Sequence, residues 1–424
     1  MHTNSKIPFW VAVLINTNIV IGSAFFLGAP QVSLLNGIFA PFAWIICGLL
    51  LLPLLIVLAK LSRMYPISGG LYIYSLKHLG KFWGFVSGWG YYIGTAAANA
   101  LVLHAFSEQL LNFNVIKNFN LSSLVLDLFF VLFFTFLNLL NIEFLERIQI
   151  GLAVIKSIPM ILVIVALPFL FNINNLFTVT PSVGGFIQTI PLALFAYIGI
   201  EACCAVADKI HDGQKNAARV ILVSFALIIV VYALLQTAIL CITGASPVNP
   251  FFSIIPMLTK NPTIIALGNS FINFAMAASF LAGFYGMFYY NNWNLYAMGN
   301  ENSILCSKYL VRVNKSQTPW ICVLFQSALV IAFLLITTNI NYLMTMCDLG
   351  TTIAYFLSAI SFLVIFKSFW GYLAIASCGL LLLINSERLF SAGFIYLVPF
   401  LVILGVGIIA HKVNEILKNK NQYF

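Results

Sequence analysis

Long apolar segments separated by short polar connections run through most of this chain. A helix needs about 17–25 mostly apolar residues to cross the hydrocarbon core of a bilayer. The chain 1–424 is therefore predicted to form a single transmembrane domain, an all-α integral membrane protein. The pattern predicts twelve transmembrane helices, at about residues 9–29, 37–59, 84–111, 121–142, 148–171, 186–207, 218–243, 264–290, 320–338, 342–366, 370–385 and 393–411.

The composition agrees with a chain that is solvated by lipid. Hydrophobic residues make up 62% of it and charged residues only 7%, with a mean hydropathy of +1.03. Soluble proteins carry about 25% charged residues, so no soluble core would accommodate this chain. The net charge of +9 would suggest a nucleic-acid partner in a soluble protein. Here the basic residues lie mainly in the connections, and we expect no nucleic-acid partner.

The basic residues also predict the orientation of the chain. With the N-terminus inside, sixteen of the twenty Lys and Arg residues fall in cytoplasmic connections. Lys117, Lys260 and Arg388 fall outside, and Lys156 lies within the fifth predicted span. Cytoplasmic connections of membrane proteins carry an excess of Lys and Arg. We therefore predict that both termini are cytoplasmic.

Small residues interrupt two of the predicted spans at corresponding positions. Gly22, Ser23 and Ala24 interrupt the first span, and Gly199 interrupts the sixth. The halves at about 9–171 and 186–366 each contain five spans and each open on an interrupted helix. Because five is odd, the second half enters the membrane from the opposite side, which predicts an inverted repeat. Two extra helices, at about 370–411, follow the repeats.

Each interruption would free backbone hydrogen-bonding groups deep in the membrane, where only a protein cavity can accommodate them. Freed N–H groups near Ser23 and Ala24 favour an anion, helped by a helix N-terminus. Freed carbonyl groups around residues 195–198 favour a cation. One cavity could thus hold a zwitterion such as an α-amino acid. The alternative is that these small residues only allow close helix packing.

Other classes of function find less support in the sequence. The eight cysteines show no metal-ligand spacing, and no phosphate-binding loop or soluble ATPase domain is present. No Ser–His pair or metal cluster is evident at membrane depth, so we predict no enzyme activity, no cofactor and no metal. A channel is disfavoured because channels usually repeat a filter around an axis.

Six short motifs in order resemble the amino acid–polyamine–organocation (APC) superfamily of amino acid permeases over nearly the whole chain. The segment 21–25 resembles the family's I-G-S-G-I/V-F loop, and 195–201 resembles its F-x-Y-x-G-x-E motif. The segment 61–72 is similar to L-x-x-x-x-P-x-S-G-G-x-Y. The remaining matches are at 82–89, 295–319 and 349–351.

The resemblance implies a LeuT-like fold of 5+5 inverted repeats with helices 1 and 6 broken, in a bacterial inner (cytoplasmic) membrane. It implies that the first loop binds the substrate carboxylate and the sixth-helix loop its ammonium group. Phe195 takes the aromatic gate position, and Thr95 a polar contact, of the arginine/agmatine-exchanger branch. Ala24 replaces the usual second glycine. The implied substrate-binding residues are Ile21, Gly22, Ser23, Ala24, Thr95, Phe195, Ala196, Tyr197, Ile198 and Gly199.

Two charged residues within the spans, Lys156 and Glu201, are predicted to act in coupling or gating. Phe195 is also predicted to act in gating. Lys156 matches the position where proton-coupled members place a lysine and sodium-coupled relatives of the fold bind a cation. The alternative is a lysine that reaches the cytoplasmic interface. Glu201 either couples the gate to the site or only holds the loop.

Three further titratable residues are read as structural. Asp127 and Asp348 are expected at the outer interface. His104 is expected to be a packing residue with Glu108 as its partner.

These observations together predict a secondary active transporter that moves amino acids by alternating access, proton-coupled and sodium-independent. The alternative is an exchanger of amino acids or amines, of the arginine/agmatine type. Neutral or varied amino acids are favoured slightly over basic ones, because no acid other than Glu201 could clearly pair with a basic side chain. The expected partners are this substrate, the lipid bilayer and a proton. Whether the protein forms a homodimer is left open by the sequence.

Overall fold

A computed structural model describes residues 6–113, 116, 118–140, 142–392 and 398–421. Lys117, assigned above to the outer side, lies outside the described residues, as do the side chains of Ser23 and Arg388.

The described chain is built from α-helices and three short 3₁₀ segments, which span 37–39, 173–177 and 202–209. Its β pairing is a single isolated bridge between Ile7 and Ile210. The helices are, in chain order, α1 (Phe9–Val20), α2 (Ser23–Asn36), α3 (Ala40–Met64), α4 (Gly70–Leu79), α5 (Lys81–Leu111), α6 (Ser123–Asn138), α7 (Ile142–Leu170), α8 (Val183–Tyr197), α9 (Gly213–Thr243), α10 (Pro250–Leu258), α11 (Pro262–Asn300), α12 (Ser307–Leu310), α13 (Trp320–Ile336), α14 (Ile340–Phe366), α15 (Phe369–Ala392) and α16 (Val398–Asn421).

Eight helical segments of the described chain are long and apolar enough to cross a membrane. The helices α1, α6 and α13 are apolar but shorter than 18 residues. These elements confirm the prediction of an all-α, multi-pass membrane protein, whereas the count of twelve spans stays a prediction.

Several helix ends differ from the predicted ones. The helix α11 continues to Asn300, ten residues beyond the predicted end at about 290. Asn291, Asn292 and Asn294 belong to this extension, and their side chains are at most 4% exposed. Polar residues there made the sequence look like a connection, but they face protein rather than water.

The helix α5 runs through the interior of the molecule, and nearly all of its residues from Gly84 to Ser107 are buried. It crosses α14 at glycines: a Cβ added to Gly94 would lie 3.0 Å from the Cα of Gly350. Such close approach of two backbones is possible only without side chains at the crossing. The crossing fixes α5 so that the turns after Gly94 face the two helix breaks.

The motif at 68–70 supports the segment that follows the second break. Gly69 has a φ of +104°, and its N–H donates to the Ala205 carbonyl at 3.2 Å. The Ser68 hydroxyl donates to Asp208 Oδ1 at 2.6 Å. A Cβ on Gly70 would lie 3.0 Å from the Cβ of Cys204. The two glycines therefore let this turn contact the 3₁₀ segment 202–209 directly.

Candidate functional site between two helix breaks

The first break separates α1 from α2 at Ile21 and Gly22. Ile21 has φ −74° and ψ 76°, and Gly22 has φ −123° and ψ −145°, so both leave the helical conformation. Gly22 has no side chain to cap α2. The first N–H groups of a helix have no partner within it. An uncapped helix N-terminus is a favourable place for an anion.

The second break follows α8. Ile198 is extended, and Gly199 has a φ of +101°, which L side chains rarely adopt. Its N–H donates to Glu201 Oε2 at 3.2 Å. The Asn16 amide donates to the Ile200 carbonyl at 2.8 Å and joins the second break to α1.

The two breaks face each other across a small cavity. The space in it that is open to water-sized molecules is about 40 Å³, enough for a few waters by the usual requirement of about 10–15 Å³ each. An amino acid would need the walls to move apart. The lining residues are Ile19, Val20, Gly22, Ala24, Ala98, Asn99, Val102, Phe195, Ile198, Gly283 and Met287.

Small residues on α11 let this helix approach the first break. The Ser279 hydroxyl donates to the Ile21 carbonyl at 3.2 Å. A Cβ on Gly283 would lie 3.4 Å from the Ile19 carbonyl oxygen. These positions are four residues apart and therefore share one helix face. The same face that lines the cavity also satisfies part of the opened backbone.

Tyr232 on α9 connects the two breaks. Its hydroxyl oxygen lies 3.0 Å from the Val20 carbonyl oxygen and 3.0 Å from that of Ala196. A phenol has one proton to donate, so the two carbonyls share it. The ring of Phe25 stacks on Tyr232 with a centroid distance of 4.7 Å, which fixes the orientation of the phenol.

Lys156 reaches the carbonyl groups of the first break. Its Nζ donates to the Asn18 carbonyl at 2.7 Å and to the Ile21 carbonyl at 2.5 Å, and the side chain is buried. The alternative of a lysine extended to the interface is therefore wrong. A buried ammonium needs such partners, because an unpaired one would be very costly in low dielectric.

Glu201 holds the second break from behind. One carboxylate oxygen accepts the Gly199 N–H, and the other accepts the Tyr91 hydroxyl at 2.7 Å. The side chain is 1% exposed, and it does not line the cavity. These contacts support the interpretation of Glu201 as the residue that holds the loop.

The predicted substrate-binding residues divide into cavity wall and support. Gly22, Ala24, Phe195 and Ile198 line the cavity. Ile21, Ala196, Tyr197 and Gly199 are not among the lining residues. Ile21 and Ala196 have their carbonyls bound by protein groups, Tyr197 donates its hydroxyl to the Trp44 carbonyl at 2.9 Å, Gly199 packs near Met287 and Ile19, and Ser23 contributes its backbone as the first residue of α2.

Thr95 requires a correction, because it does not line the cavity. Its hydroxyl donates to the Tyr91 carbonyl of its own helix at 2.8 Å. Ala98, Asn99 and Val102 line the cavity instead, three, four and seven residues further along α5. Asn99 lies one helical turn after Thr95 and shares its helix face. The 3.6-residue period applied to Thr95 could have found Asn99.

The two acids expected at the outer interface are buried, so that prediction is wrong. Asp127 and Asp348 are both 0% exposed. Asp127 Oδ2 lies 2.8 Å from His104 Nδ1, whereas Glu108 is 3.9 Å from the other ring nitrogen. His104 thus joins α5 to α6 with Asp127 as its main partner. A short-range pattern predicted Glu108, but the partner comes from another helix.

No group of three or more His, Cys, Asp or Glu side chains that could hold a metal ion occurs within the described residues.

Comparisons with known proteins agree with this geometry. The family described as "Amino acid permease" matches residues 7–417. The serine/threonine exchanger SteT of Bacillus subtilis is 26% identical over 354 residues, which cover 80% of this chain and 79% of the relative. An uncharacterized transporter of Mycobacterium tuberculosis is 25% identical over 232 residues, half of each chain.

We expect Gly199→Ala to destabilise the protein. Alanine at a φ of +101° is strained by about 1–3 kcal/mol, and its Cβ would lie 2.7 Å from Met287 Cε and 2.9 Å from Ile19 Cγ2. The unfolding temperature of the purified protein should fall. Gly184→Ala, at the start of the same helix, is the matched control, because a Cβ there meets nothing within 4 Å. Equal unfolding temperatures for the two variants would contradict the described backbone.

Proposed function

Because the chain belongs to the amino acid permease family, and is an amino acid transporter or exchanger rather than an enzyme, we propose that it is a secondary active transporter that works by alternating access. The substrate site is the cavity between the two breaks. The single observation that carries this proposal is that residues of both breaks line one cavity: Gly22 and Ala24 from the first, Phe195 and Ile198 from the second.

The polarity of the two breaks fits the backbone of an α-amino acid. The uncapped N-terminus of α2 suits the substrate carboxylate, which the N–H groups of Ser23 and Ala24 would bind. The carbonyl end of α8 and the extended Ile198 suit its ammonium group. This arrangement supports Gly22 and Phe195 as walls on opposite sides of the substrate.

The rest of the cavity suits a small neutral side chain. None of the described residues that line the cavity is charged. Asn99 is the polar side chain among them, and its Nδ2 is buried without a hydrogen-bond partner in the described structure. A donor in this position would bind a hydroxyl oxygen. We therefore propose serine- or threonine-like substrates, in line with the name of the relative SteT.

Lys156 supports sodium-independent transport. Its ammonium group already bonds the Asn18 and Ile21 carbonyls, oxygen atoms that could otherwise coordinate a cation. Gain and loss of a proton by this amine would provide the proposed proton coupling. Exchange of internal for external substrate is the second candidate, favoured by the exchanger among the relatives.

The finer topology is also a proposal. With α1 and α2 as the first span, and α8 and the following 3₁₀ segment as the sixth, the helices can be grouped into twelve spans with LeuT-like inverted repeats. The lysine-rich connections then lie on the cytoplasmic side with both termini.

The substrate proposal predicts the outcome of uptake into proteoliposomes. Radiolabelled serine uptake should saturate, and serine, threonine and alanine should compete, whereas arginine and agmatine should not, because none of the described lining residues carries a carboxylate. Uptake into empty vesicles driven by an inward proton gradient indicates symport. Uptake only into vesicles preloaded with serine indicates exchange. Competition by arginine as strong as that by threonine would overturn the proposed selectivity.

In the same uptake assay, Asn99→Leu tests the proposed contact with the substrate side chain. Loss of one buried hydrogen bond should weaken serine binding about tenfold. Alanine, which has no hydroxyl, should be affected less. Equal losses for both amino acids would argue against a contact between Asn99 and the substrate side chain.

We expect Lys156→Ala to abolish the response of uptake to a pH gradient. The change also leaves the Asn18 carbonyl without its donor, at a cost of about 1–3 kcal/mol, so uptake itself should fall about fivefold or more. Replacement of sodium by choline should leave wild-type uptake unchanged. Lys260→Ala, on an exposed connection, is the control. Unchanged pH coupling in Lys156→Ala would remove Lys156 from the coupling mechanism.

The native Cys306 can test the orientation of the chain in the membrane, so no cysteine needs to be introduced for labelling. All eight cysteines are described, and Cys306 is exposed whereas the other seven are buried. It lies on the connection 299–319, which we place in the cytoplasm. A membrane-impermeant maleimide should label inside-out vesicles but not right-side-out ones, and Cys306→Ala should remove the signal. Labelling of right-side-out vesicles alone would invert the proposed topology.

A further inference from the structure

The buried face of α7 carries two polar side chains that both reach the first break. Gln149 and Lys156 are seven residues apart, which is two helical turns, and so share this face. Gln149 is 0% exposed and Lys156 4%. Both contact Asn18, since Lys156 binds its carbonyl and Gln149 binds its side chain. Asn18 lies two residues before the end of α1, and this double contact fixes the chain just before it opens.

Both ends of the Gln149 side-chain amide are used. The Asn18 Nδ2 donates to Gln149 Oε1 and to the Gln149 backbone carbonyl, the latter at 3.0 Å. The Gln149 Nε2 donates to the Ala282 carbonyl at 2.9 Å. A side-chain amide offers an acceptor and a donor side by side in this way. Methionine and leucine have neither group.

These bonds connect two walls of the cavity. Asn18 precedes the lining residues Ile19 and Val20, and Ala282 precedes the lining residue Gly283. At Gly286 the helix α11 comes so close that a Cβ would lie 3.0 Å from Gln149 Nε2 and 2.8 Å from Ile19 Cδ1. Gln149 therefore lies at the contact between α1, α7 and α11. Its length sets how far apart the two walls are held.

We propose that Gln149 is a positioning residue for transport, which holds the first break against α11 and so sets the width of the substrate cavity. This inference rests on the proposed function. Gln149 does not touch the cavity and acts through Asn18 and the α11 backbone.

The test compares Gln149→Leu with Gln326→Leu. Gln326 is also a glutamine at 0% exposure in a helix, but its amide has no hydrogen-bond partner in the described structure. We expect Gln149→Leu to weaken serine binding to the purified protein about tenfold, and Gln326→Leu to leave it unchanged. Gln149→Met keeps the length of the side chain but has neither the acceptor for Asn18 nor the donor to Ala282, so it should also weaken binding. A purely structural role would lower the unfolding temperature and leave the Kd of the folded protein unchanged, which would overturn the proposal.

A double-mutant cycle separates positioning from general damage. If Gln149 acts through Asn18, then Asn18→Ala should weaken serine binding, and adding Gln149→Leu should weaken it little further. Losses that multiply would show that the two residues act independently, and would overturn the proposal.

If the wild-type protein binds no amino acid, the proposed transport function is wrong. Hydrogen exchange then still tests the positioning role of Gln149. Exchange of the amides in 15–24 and 279–287 should still be faster in Gln149→Leu than in Gln326→Leu. Equal exchange would overturn the positioning role whatever the substrate is.

Discussion

The structure depends on the need to satisfy backbone polar groups that two opened helices expose deep within the molecule. Lipid offers no hydrogen-bond partner, so an opened helix is stable only where other protein groups or a bound solute take its place. Each unsatisfied group would cost several kcal/mol. The first break meets this need with Lys156 and Ser279, and the second with Glu201. Tyr232 serves both.

This requirement explains why the supporting residues come from different helices. The first break is bonded by α7, α9 and α11, and the second by α1, α5 and α9. No single helix could reach every freed group, because the opened segments face several directions. The breaks are therefore a product of the whole bundle, and movement of any of these helices changes the shape of the cavity between them.

The sequence predicted the breaks because Gly22 and Gly199 are conspicuous within apolar spans, and it predicted Lys156 because a charge at that depth is rare. It did not reveal Tyr232 or Gln149. A buried tyrosine or glutamine becomes informative only when the packing of helix faces shows what it touches. Thr95 does not line the cavity, although Asn99 one turn later does, and Asp127 is buried rather than interfacial, since helix phase and long-range partners are set by tertiary contacts such as that of Gly94 with Gly350.

The protein groups at the first break bind freed carbonyls, whereas those at the second bind the Gly199 N–H as well as the Ala196 and Ile200 carbonyls. At the first break an ammonium and two hydroxyls bind the freed carbonyls, and the N-terminus of α2 stays without a side-chain cap. At the second break a carboxylate binds the freed Gly199 N–H, and the carbonyl end of α8 adjoins the cavity. In their charged forms, Lys156 and Glu201 have signs opposite to those of the substrate groups proposed for the same breaks. A zwitterion placed between them complements both ends at once, whereas a simple anion or cation complements only one. In the proposed site, the same backbone chemistry that makes the opened helices costly would therefore favour an amino acid over an ion of either sign.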